Sequence, residues 1–284
     1  MPEALERRLF GALIDIDGTL THLGSVSWLD FTEQMYLMAH KPIGVAKEAR
    51  ETHKKIFGEF LGDIAKLKTK DEKEARIAVL NTDLFGQVWR ASGLVLDRKT
   101  VEQISRTSLS MRLRDEGVRF LTFLRMLKEQ LDIPVFVLTA AYSILSEVVA
   151  KDFGLSGGRA ASQMIFDGDS PESLWVDFTL DYDLNRSKVR NADELIGEGQ
   201  LPHKKKGIFA FGDGPTEREL LEYYPNNAIL SHYPIDSDRV SAYVTTLDEA
   251  MILIYDQLGP DGEKLVFSDT DGIAKIVRNR DQNG

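Results

Sequence analysis

Two aspartates stand two positions apart near the start of the chain, in the stretch LIDIDGTL. Side chains alternate along a strand, so Asp15 and Asp17 would lie on the same side of the apolar run that they end. Two neighbouring carboxylates are costly to bury without a compensating charge. We therefore expect either that they stand at the exposed end of a strand, which Gly18 would terminate, or that a cation such as a metal ion lies between them.

Polar residues also end two later apolar runs, because Thr139 ends IPVFVLT and Asp213 follows KGIFAFG. The carboxyl ends of parallel strands gather along one edge of a sheet, which is where ligands bind in open α/β folds. Asp15, Asp17 and Asp213 would converge there. Mg²⁺ prefers such a site, with few protein carboxylates, several waters and a phosphate oxygen.

Phosphoryl transfer is the chemistry that these residue types could perform together. Asp15 could attack phosphorus and form an acyl phosphate, which divides one difficult transfer into two easier ones. Asp17 could protonate the leaving oxygen and then deprotonate the attacking water. Thr139, which we place at the start of a helix, could donate its hydroxyl and nearby N–H groups to the phosphoryl oxygens. A lysine would offset the negative charge that builds up.

The elements that would position these residues alternate between strands and helices. The runs 117–131 and 142–155 have helical spacing, and the second should stop at Gly154. Five nearly continuous apolar runs are typical of a parallel sheet covered on both faces. These predicted strands are Arg8–Asp15, Ile133–Thr139, Lys206–Asp213, Asn227–Ser231 and Ser241–Thr246. The pattern predicts a doubly wound α/β fold with a Rossmann-like core.

Residues 22–112 interrupt this alternation, because they contain many helical runs and few strand-like ones. We predict that they form an inserted α-helical cap, and that residues 1–21 and 113–258 form the catalytic core. The stretch 162–182 resembles a strand pair joined by a Gly-Asp-Ser-Pro turn. Residues 259–284 are predicted to form a C-terminal hairpin and tail.

Composition excludes several classes of function. The 284 residues carry a net charge of −10, so a general nucleic-acid or anionic-membrane surface is not expected. Cysteine is absent, which excludes disulfides and thiolate chemistry. The first residues lack the layout of a signal peptide, and the apolar windows are too short and too interrupted to span a bilayer. We expect a cytoplasmic protein.

With these residues in order, the sequence resembles the haloacid dehalogenase (HAD) superfamily, on its phosphatase side. Asp15-Ile16-Asp17-Gly18-Thr19-Leu20 matches the first motif of that family, Thr139 in VFVLTA the second, and Asp213 in FAFGDGPTE the fourth. The third motif is a lysine. Lys188 in LNRSKVRNADELI fits it better than Lys204, Lys205 or Lys206, which precede the amino end of a strand. The stretch ASQMIFDGD is similar to phosphoserine-phosphatase-like members.

The resemblance implies Mg²⁺-dependent hydrolysis of a small phosphorylated metabolite through an aspartyl-phosphate intermediate. Asp15, Asp17, Thr139 and Lys188 would then be catalytic, and Asp15, Asp17 and Asp213 would hold the metal. Glu217 stands where the family usually has a further aspartate, and we expect its carboxylate to reach the metal through water.

Two alternatives to hydrolysis remain open from the sequence. One is a phosphomutase or phosphotransferase of the same superfamily. The other is a catalytically silent domain that binds a phosphorylated ligand or a protein, although the intact motif residues favour an enzyme. Substrate selection would lie in the cap, where the candidate contacts are Lys66, Lys68, Arg76 and Arg90.

Overall fold

A seven-stranded sheet forms the centre of the molecule. The computed structural model describes residues 9–22, 27–64, 66–69, 72, 76, 86–182, 188–213, 218–231, 240–267 and 272–278. The strands are β1 Gly11–Asp15, β2 Val135–Tyr142, β3 Gly157–Phe166, β4 Trp175–Tyr182, β5 Ile208–Gly212, β6 Asn227–Leu230 and β7 Tyr243–Val244. Their order across the sheet is β4-β3-β2-β1-β5-β6-β7. All neighbouring pairs are parallel except β3 and β4, which are antiparallel.

The helices that pack against the sheet alternate with its strands along the chain. They are α5 Gly117–Leu131, α6 Ser143–Asp152, α7 Lys188–Gly197, α8 Arg218–Tyr223 and α9 Leu247–Asp256. The predicted helix 117–131 is confirmed residue for residue. The second predicted helix ends before Gly154, whose φ of +66° is the left-handed conformation that glycine adopts without strain.

Both faces of the sheet are covered, as the continuous apolar strands predict. Along β1, Ala12 and Ile14 belong to one hydrophobic cluster and Leu13 belongs to a second. Helices α5, α6 and α9 contribute to the first cluster, and α7 and α8 contribute to the second. The predicted doubly wound α/β core is therefore confirmed, and so is the antiparallel strand pair within 162–182.

Helices dominate the described residues of the insertion between β1 and β2. They are α1 Ser27–Met38, α2 Ile43–Ile64, α3 Gly86–Arg90 and α4 Arg98–Arg112, in agreement with the predicted helical insertion. Backbone contacts close its base, since Thr21 bridges Leu113 and the N–H of His22 donates to the carbonyl of Arg112 at 2.8 Å. The two chain connections of the insertion therefore lie side by side.

An aromatic cluster joins these helices to the sheet. Phe31 of α1 and Trp89 of α3 contact Trp175 of β4, with ring centroids 6.0 and 5.3 Å apart. Trp28 lies 4.7 Å from Tyr142, the last residue of β2. Side chains of the insertion and of one sheet face thus form a single hydrophobic cluster. The division into a core and a separate cap domain stays a prediction.

Two local predictions are wrong. Thr139 does not start a helix, because β2 continues to Tyr142 and α6 begins at Ser143. The C-terminal segment is not a hairpin where it is described, since it forms a 3₁₀ helix, Gly259–Lys264, and an α-helix, α10 Ile273–Arg278. The apolar residues of IAKIV have helical spacing, because Ile273 and Val277 are one turn apart and both are buried.

No helix in the described ranges is long and apolar enough to cross a membrane.

Candidate active site

Asp15 is the last residue of β1 and is almost fully buried, with 1% of its surface exposed. The ammonium of Lys188 forms an ion pair with its Oδ1 atom. The hydroxyl of Thr19 donates to its Oδ2 atom at 3.0 Å. A buried carboxylate requires this kind of partner, because desolvation otherwise makes its charge expensive. The paired aspartates led us to expect a nearby cation. In this structure the cation that contacts Asp15 is the ammonium of Lys188.

Lys188 is the first residue of α7 and is itself buried, with 7% of its side chain exposed. It comes to Asp15 from a position 173 residues later in the chain. The alternative lysines lie elsewhere, because Lys205 and Lys206 form a short 3₁₀ helix before the amino end of β5. The ammonium of Lys205 stacks over the Tyr223 ring at 3.2 Å. Of the four predicted lysines, the fold brings Lys188 to the aspartates.

Asp17 lies in the turn after β1 and is held by Thr139 from the neighbouring strand. The Thr139 hydroxyl donates to Asp17 Oδ2 at 3.0 Å and accepts the N–H of Ala141 at 2.9 Å. Because that N–H occupies a lone pair of the hydroxyl oxygen, the hydroxyl proton is directed toward Asp17. The β2–β3 register shifts between Thr139 and Tyr142, so a bulge in β2 falls at this point.

Asp213 directly follows β5 and completes the group of aspartates. Its Oδ1 atom lies 3.5 Å from the Thr19 hydroxyl, which also contacts Asp15. Gly18 makes this approach possible, because a Cβ atom there would lie 1.9 Å from Asp213 Oδ2. Its φ of +84° is a second reason for glycine.

Asp15 and Asp213 approach the Thr19 hydroxyl from two strands, so two carboxylates lie near one point of the sheet edge. Magnesium takes one or two protein carboxylates and fills its remaining positions with water and phosphate oxygens. The described residues contain no group of three or more His, Asp or Glu side chains arranged to hold a metal by themselves. Asp17 instead directs a carboxylate oxygen to Thr139. The predicted ligand Glu217 lies outside the described residues.

Arg114 is a residue of this site that sequence reasoning missed. Its guanidinium donates to the carbonyl of Thr19 at 2.9 Å and to that of Gly18 at 2.7 Å. It stands just after the insertion returns to the sheet, so it fixes the first-motif turn from the far end of the insertion. No local pattern in RLRDEG predicts this contact, because Arg114 and Thr19 are 95 residues apart in the sequence.

A narrow cleft beside Asp17 separates the turn from the helical insertion. Asp30, Ser108 and Arg112 line it from the helices, and Leu145 lines it from α6. Asp30 is buried. It accepts a hydrogen bond from Arg50 at 2.5 Å and two from Arg112, at 2.9 and 3.2 Å.

None of the four predicted cap contacts, Lys66, Lys68, Arg76 and Arg90, is among the described residues that line this cleft. Arg76 instead pairs with Asp63 at 2.9 Å, and Arg90 bonds the carbonyl of Gly86.

Known structures share this architecture. No family model and no curated protein matches the chain. A phosphoserine phosphatase holding an analogue of its phospho-aspartyl intermediate is 16% identical, with a TM-score of 0.51 over 87% of this chain and 99% of that one. A substrate-bound phosphoserine phosphatase gives the same identity and TM-score over 88% and 99%. A HAD family hydrolase from Salmonella enterica subsp. enterica serovar Typhi is 12% identical, with a TM-score of 0.51 over 83% and 68%.

The fold is that of the HAD phosphatases. The resemblance predicted from the motifs is confirmed at this level, with phosphoserine phosphatases among the similar structures.

Proposed function

We propose that this protein is a Mg²⁺-dependent phosphomonoester hydrolase that acts through an aspartyl-phosphate intermediate. The observation that carries the proposal is the buried Asp15 carboxylate at a strand end, held by Lys188 and Thr19 and facing Asp213 across the same hydroxyl. A small phosphorylated metabolite is the proposed substrate.

Asp15 is the proposed nucleophile. One of its oxygens attacks phosphorus while the bond from phosphorus to the alcohol oxygen breaks. Lys188 and Thr19 hold the carboxylate in one orientation, which reduces the entropy lost when the attack geometry is reached. The lysine ammonium also offsets the charge that the phosphoryl oxygens bring to a buried site.

Asp17 is the proposed acid and base. In the first half of the reaction its proton passes to the leaving alcohol oxygen. In the second half it removes a proton from the water that attacks phosphorus, the bond from Asp15 to phosphorus breaks and inorganic phosphate leaves. Thr139 donates to Oδ2 of Asp17. We therefore assign the transferable proton to the other oxygen, Oδ1.

Asp15 and Asp213 are the proposed Mg²⁺ ligands, with Glu217 as a candidate that acts through water. When bound, the metal supplies Lewis-acid polarisation of the phosphoryl group. The contribution of the chain is to hold the two carboxylates near each other from β1 and β5. Asp17 was also predicted as a metal ligand. In our proposal its side chain transfers protons instead.

Two similar structures agree with this chemistry. One phosphoserine phosphatase contains a phospho-aspartyl intermediate analogue, and another is bound to its substrate. By analogy we propose that the helical insertion, residues 22–112, covers the phosphoryl site and excludes water from it.

Phosphate release from small phosphate esters tests the proposal, with and without Mg²⁺. Asp15→Asn should lower kcat at least about 10³-fold, because an amide is a poor nucleophile. Asp132→Asn is the matched control, since Asp132 ends α5 at a φ of +54°, which asparagine tolerates. After acid quench of the wild-type protein, mass spectrometry should find one phosphoryl group on the peptide that contains Asp15.

Three outcomes would contradict this assignment. They are residual activity of Asp15→Asn within tenfold of the wild type, phosphoryl label on another residue, and full activity in EDTA. Circular dichroism of Asp15→Asn separates lost chemistry from lost fold. Transfer of label to a second alcohol without phosphate release would instead identify the phosphotransferase alternative.

A further inference from the structure

Arg114 uses its guanidinium differently from the neighbouring arginines of α4 and α5. Those arginines pair with carboxylates; they are Arg98, Arg106, Arg112, Arg119 and Arg125. Arg114 instead donates to two successive main-chain carbonyls, at 2.9 Å to Thr19 and at 2.7 Å to Gly18. A guanidinium is a rigid fork, so it fixes the orientation of the two peptide groups that it binds.

The turn that Arg114 contacts also has hydrogen bonds of its own. The carbonyl of Ile16 accepts the N–H groups of Leu20 at 2.9 Å and of Thr21 at 3.2 Å. These bonds do not involve the carbonyls of residues 18 and 19, which the guanidinium binds. We therefore expect the turn to form without Arg114, but with residues 18 and 19 held less firmly.

Thr19 connects this backbone contact to the two carboxylates of the proposed metal site. It is fully buried, and its hydroxyl donates to Asp15 Oδ2 at 3.0 Å and lies 3.5 Å from Asp213 Oδ1. A hydroxyl between two carboxylates keeps them at a set separation, and its own position depends on the backbone of Thr19. Mg²⁺ requires nearly ideal ligand geometry, so its affinity is sensitive to this separation.

The same arginine lies at the base of the helical insertion. Its N–H donates to the carbonyl of Leu20 at 2.9 Å, and Thr21 bridges Leu113 next to it. The segments that enter and leave the insertion therefore pair with each other here. The guanidinium of Arg114 extends that pairing into the turn that carries Asp17.

We propose that Arg114 is a positioning residue for the Mg²⁺ site and that it acts through Thr19. It holds the backbone of residues 18 and 19, and thereby fixes the hydroxyl that lies between Asp15 and Asp213. The base of the helical insertion thus contributes to metal affinity. This inference rests on the proposed function, in which these two carboxylates bind Mg²⁺, and it adds a residue outside the four family motifs.

Calorimetric titration with Mg²⁺ alone tests the assignment without any turnover. Arg114→Met should raise the Kd at least about tenfold, because the groups that orient metal ligands typically contribute this much to affinity. Arg114→Lys should also raise the Kd, since an ammonium keeps the charge but lacks the fork. Arg119→Met is the matched control, because Arg119 donates from two nitrogens to Asp248, and its Kd should stay within about twofold of the wild type.

A double-variant cycle tests whether Arg114 acts through Thr19. Thr19→Val removes the hydroxyl and nearly keeps the shape of the side chain, and circular dichroism checks that each variant is folded. If Arg114 positions that hydroxyl, Arg114→Met should raise the Kd of the Thr19→Val protein by no more than about threefold.

Four results overturn the inference. They are Mg²⁺ binding by Arg114→Met within about twofold of the wild type, wild-type affinity in Arg114→Lys, an equal loss of affinity in Arg119→Met, and full additivity in the cycle. Each of them leaves the proposed function intact as long as the wild type binds Mg²⁺. A wild-type protein that binds no Mg²⁺ contradicts both proposals.

Discussion

Asp15 and Asp30 are both 1% exposed, and both are neutralised by basic side chains, yet the two sites are built differently. Asp15 ends a strand and is held by a lysine and a threonine hydroxyl. Asp30 lies in a helix and receives two guanidinium groups, one of them through two nitrogens. An ammonium is a compact point charge, whereas a guanidinium fork fixes a carboxylate in a plane.

This difference separates a carboxylate that can react from one that positions its surroundings. The single contact of Arg50 and the two-nitrogen contact of Arg112 connect α2 and the end of α4 to Asp30 of α1, so that this pair of contacts fixes the geometry of the cleft. Lys188 stabilises the charge of Asp15 from one direction and comes from a separate helix. The strand-end site therefore depends on one cation much more than the helical site does.

Removal of one cation from each site tests whether Asp15 depends on its cation more than Asp30 does. Lys188→Met should abolish phosphate release and lower the free energy of unfolding by about 3–5 kcal/mol, because it leaves a buried carboxylate without its ammonium. Arg50→Met should cost less than half as much, since Arg112 keeps its two contacts with Asp30. Urea unfolding at pH 7 measures both values.

The pair Lys188→Met and Asp15→Asn provides the control for this prediction. The double variant should regain part of the stability that Lys188→Met loses, because no buried charge is then left alone. Equal losses for Lys188→Met and Arg50→Met would contradict the distinction between the two aspartates.

Sequence predicted the strand-end site more completely than the helical one, for a physical reason. Asp15 and Asp17 are two residues apart, Asp213 directly follows β5, and Thr139 lies in β2 next to β1, so the parallel sheet itself brings them together. Predicting the sheet was therefore equivalent to predicting the site. Lys188 was chosen because the family resemblance implies a lysine upstream of the fourth motif and because Lys188 heads a predicted helix.

The contacts of the helical insertion were not predictable in this way. Asp30 and Arg112 are 82 residues apart, and each has the ordinary pattern of a charged residue on a helix. Their pairing depends on how α1 and α4 cross, which periodicity does not specify. Thr139 was misplaced for a similar reason, since the bulge in β2 leaves no mark in VFVLTAAY. The tail was misjudged because SDTDG resembles a hairpin turn while IAKIV forms a helix.

A substitution at Gly18 tests how closely Asp213 is held at the strand-end site. Gly18→Ala should raise the Mg²⁺ concentration for half-maximal activity at least about tenfold, because the added Cβ would lie 1.9 Å from Asp213 Oδ2 and displace that carboxylate. Gly199→Ala is the control, since Gly199 has a similar φ of +72° and nothing within 4 Å of the added atom.

Both glycine variants should lose about 1–2 kcal/mol through the left-handed backbone alone. The loss of stability of Gly18→Ala beyond that of Gly199→Ala, together with its altered Mg²⁺ titration, then measures the contact with Asp213. If the two variants had the same Mg²⁺ dependence as the wild type, Asp213 would not be held against Gly18 in the working enzyme.

The smallest expected effect concerns His53, a buried base of the helical insertion. Its Nδ1 atom contacts the Thr32 hydroxyl, which also accepts the indole N–H of Trp89 at 2.9 Å. Burial lowers the pKa of His53 from 6.5 to about 3. Lys188 is buried in an ion pair with Asp15, whereas His53 is buried as the neutral imidazole.

The sign of the pH dependence follows from this pKa. The unfolded chain binds a proton at His53 below pH 6.5, and the folded protein does not do so until the pH approaches 3. Stability is therefore complete above pH 6.5 and is lost as the pH falls below it. Between pH 8 and pH 5.5 the contribution of His53 amounts to about 1.4 kcal/mol.

Urea unfolding of the wild type across this range should show that loss, and His203→Gln, which alters an exposed histidine, should leave it in place. His53→Gln should be less stable at pH 8 but should lose about 1.4 kcal/mol less than the wild type on acidification. If its pH profile ran parallel to that of the wild type, the imidazole would be protonated inside the folded protein, and the contrast between a paired and a neutral buried base would be wrong.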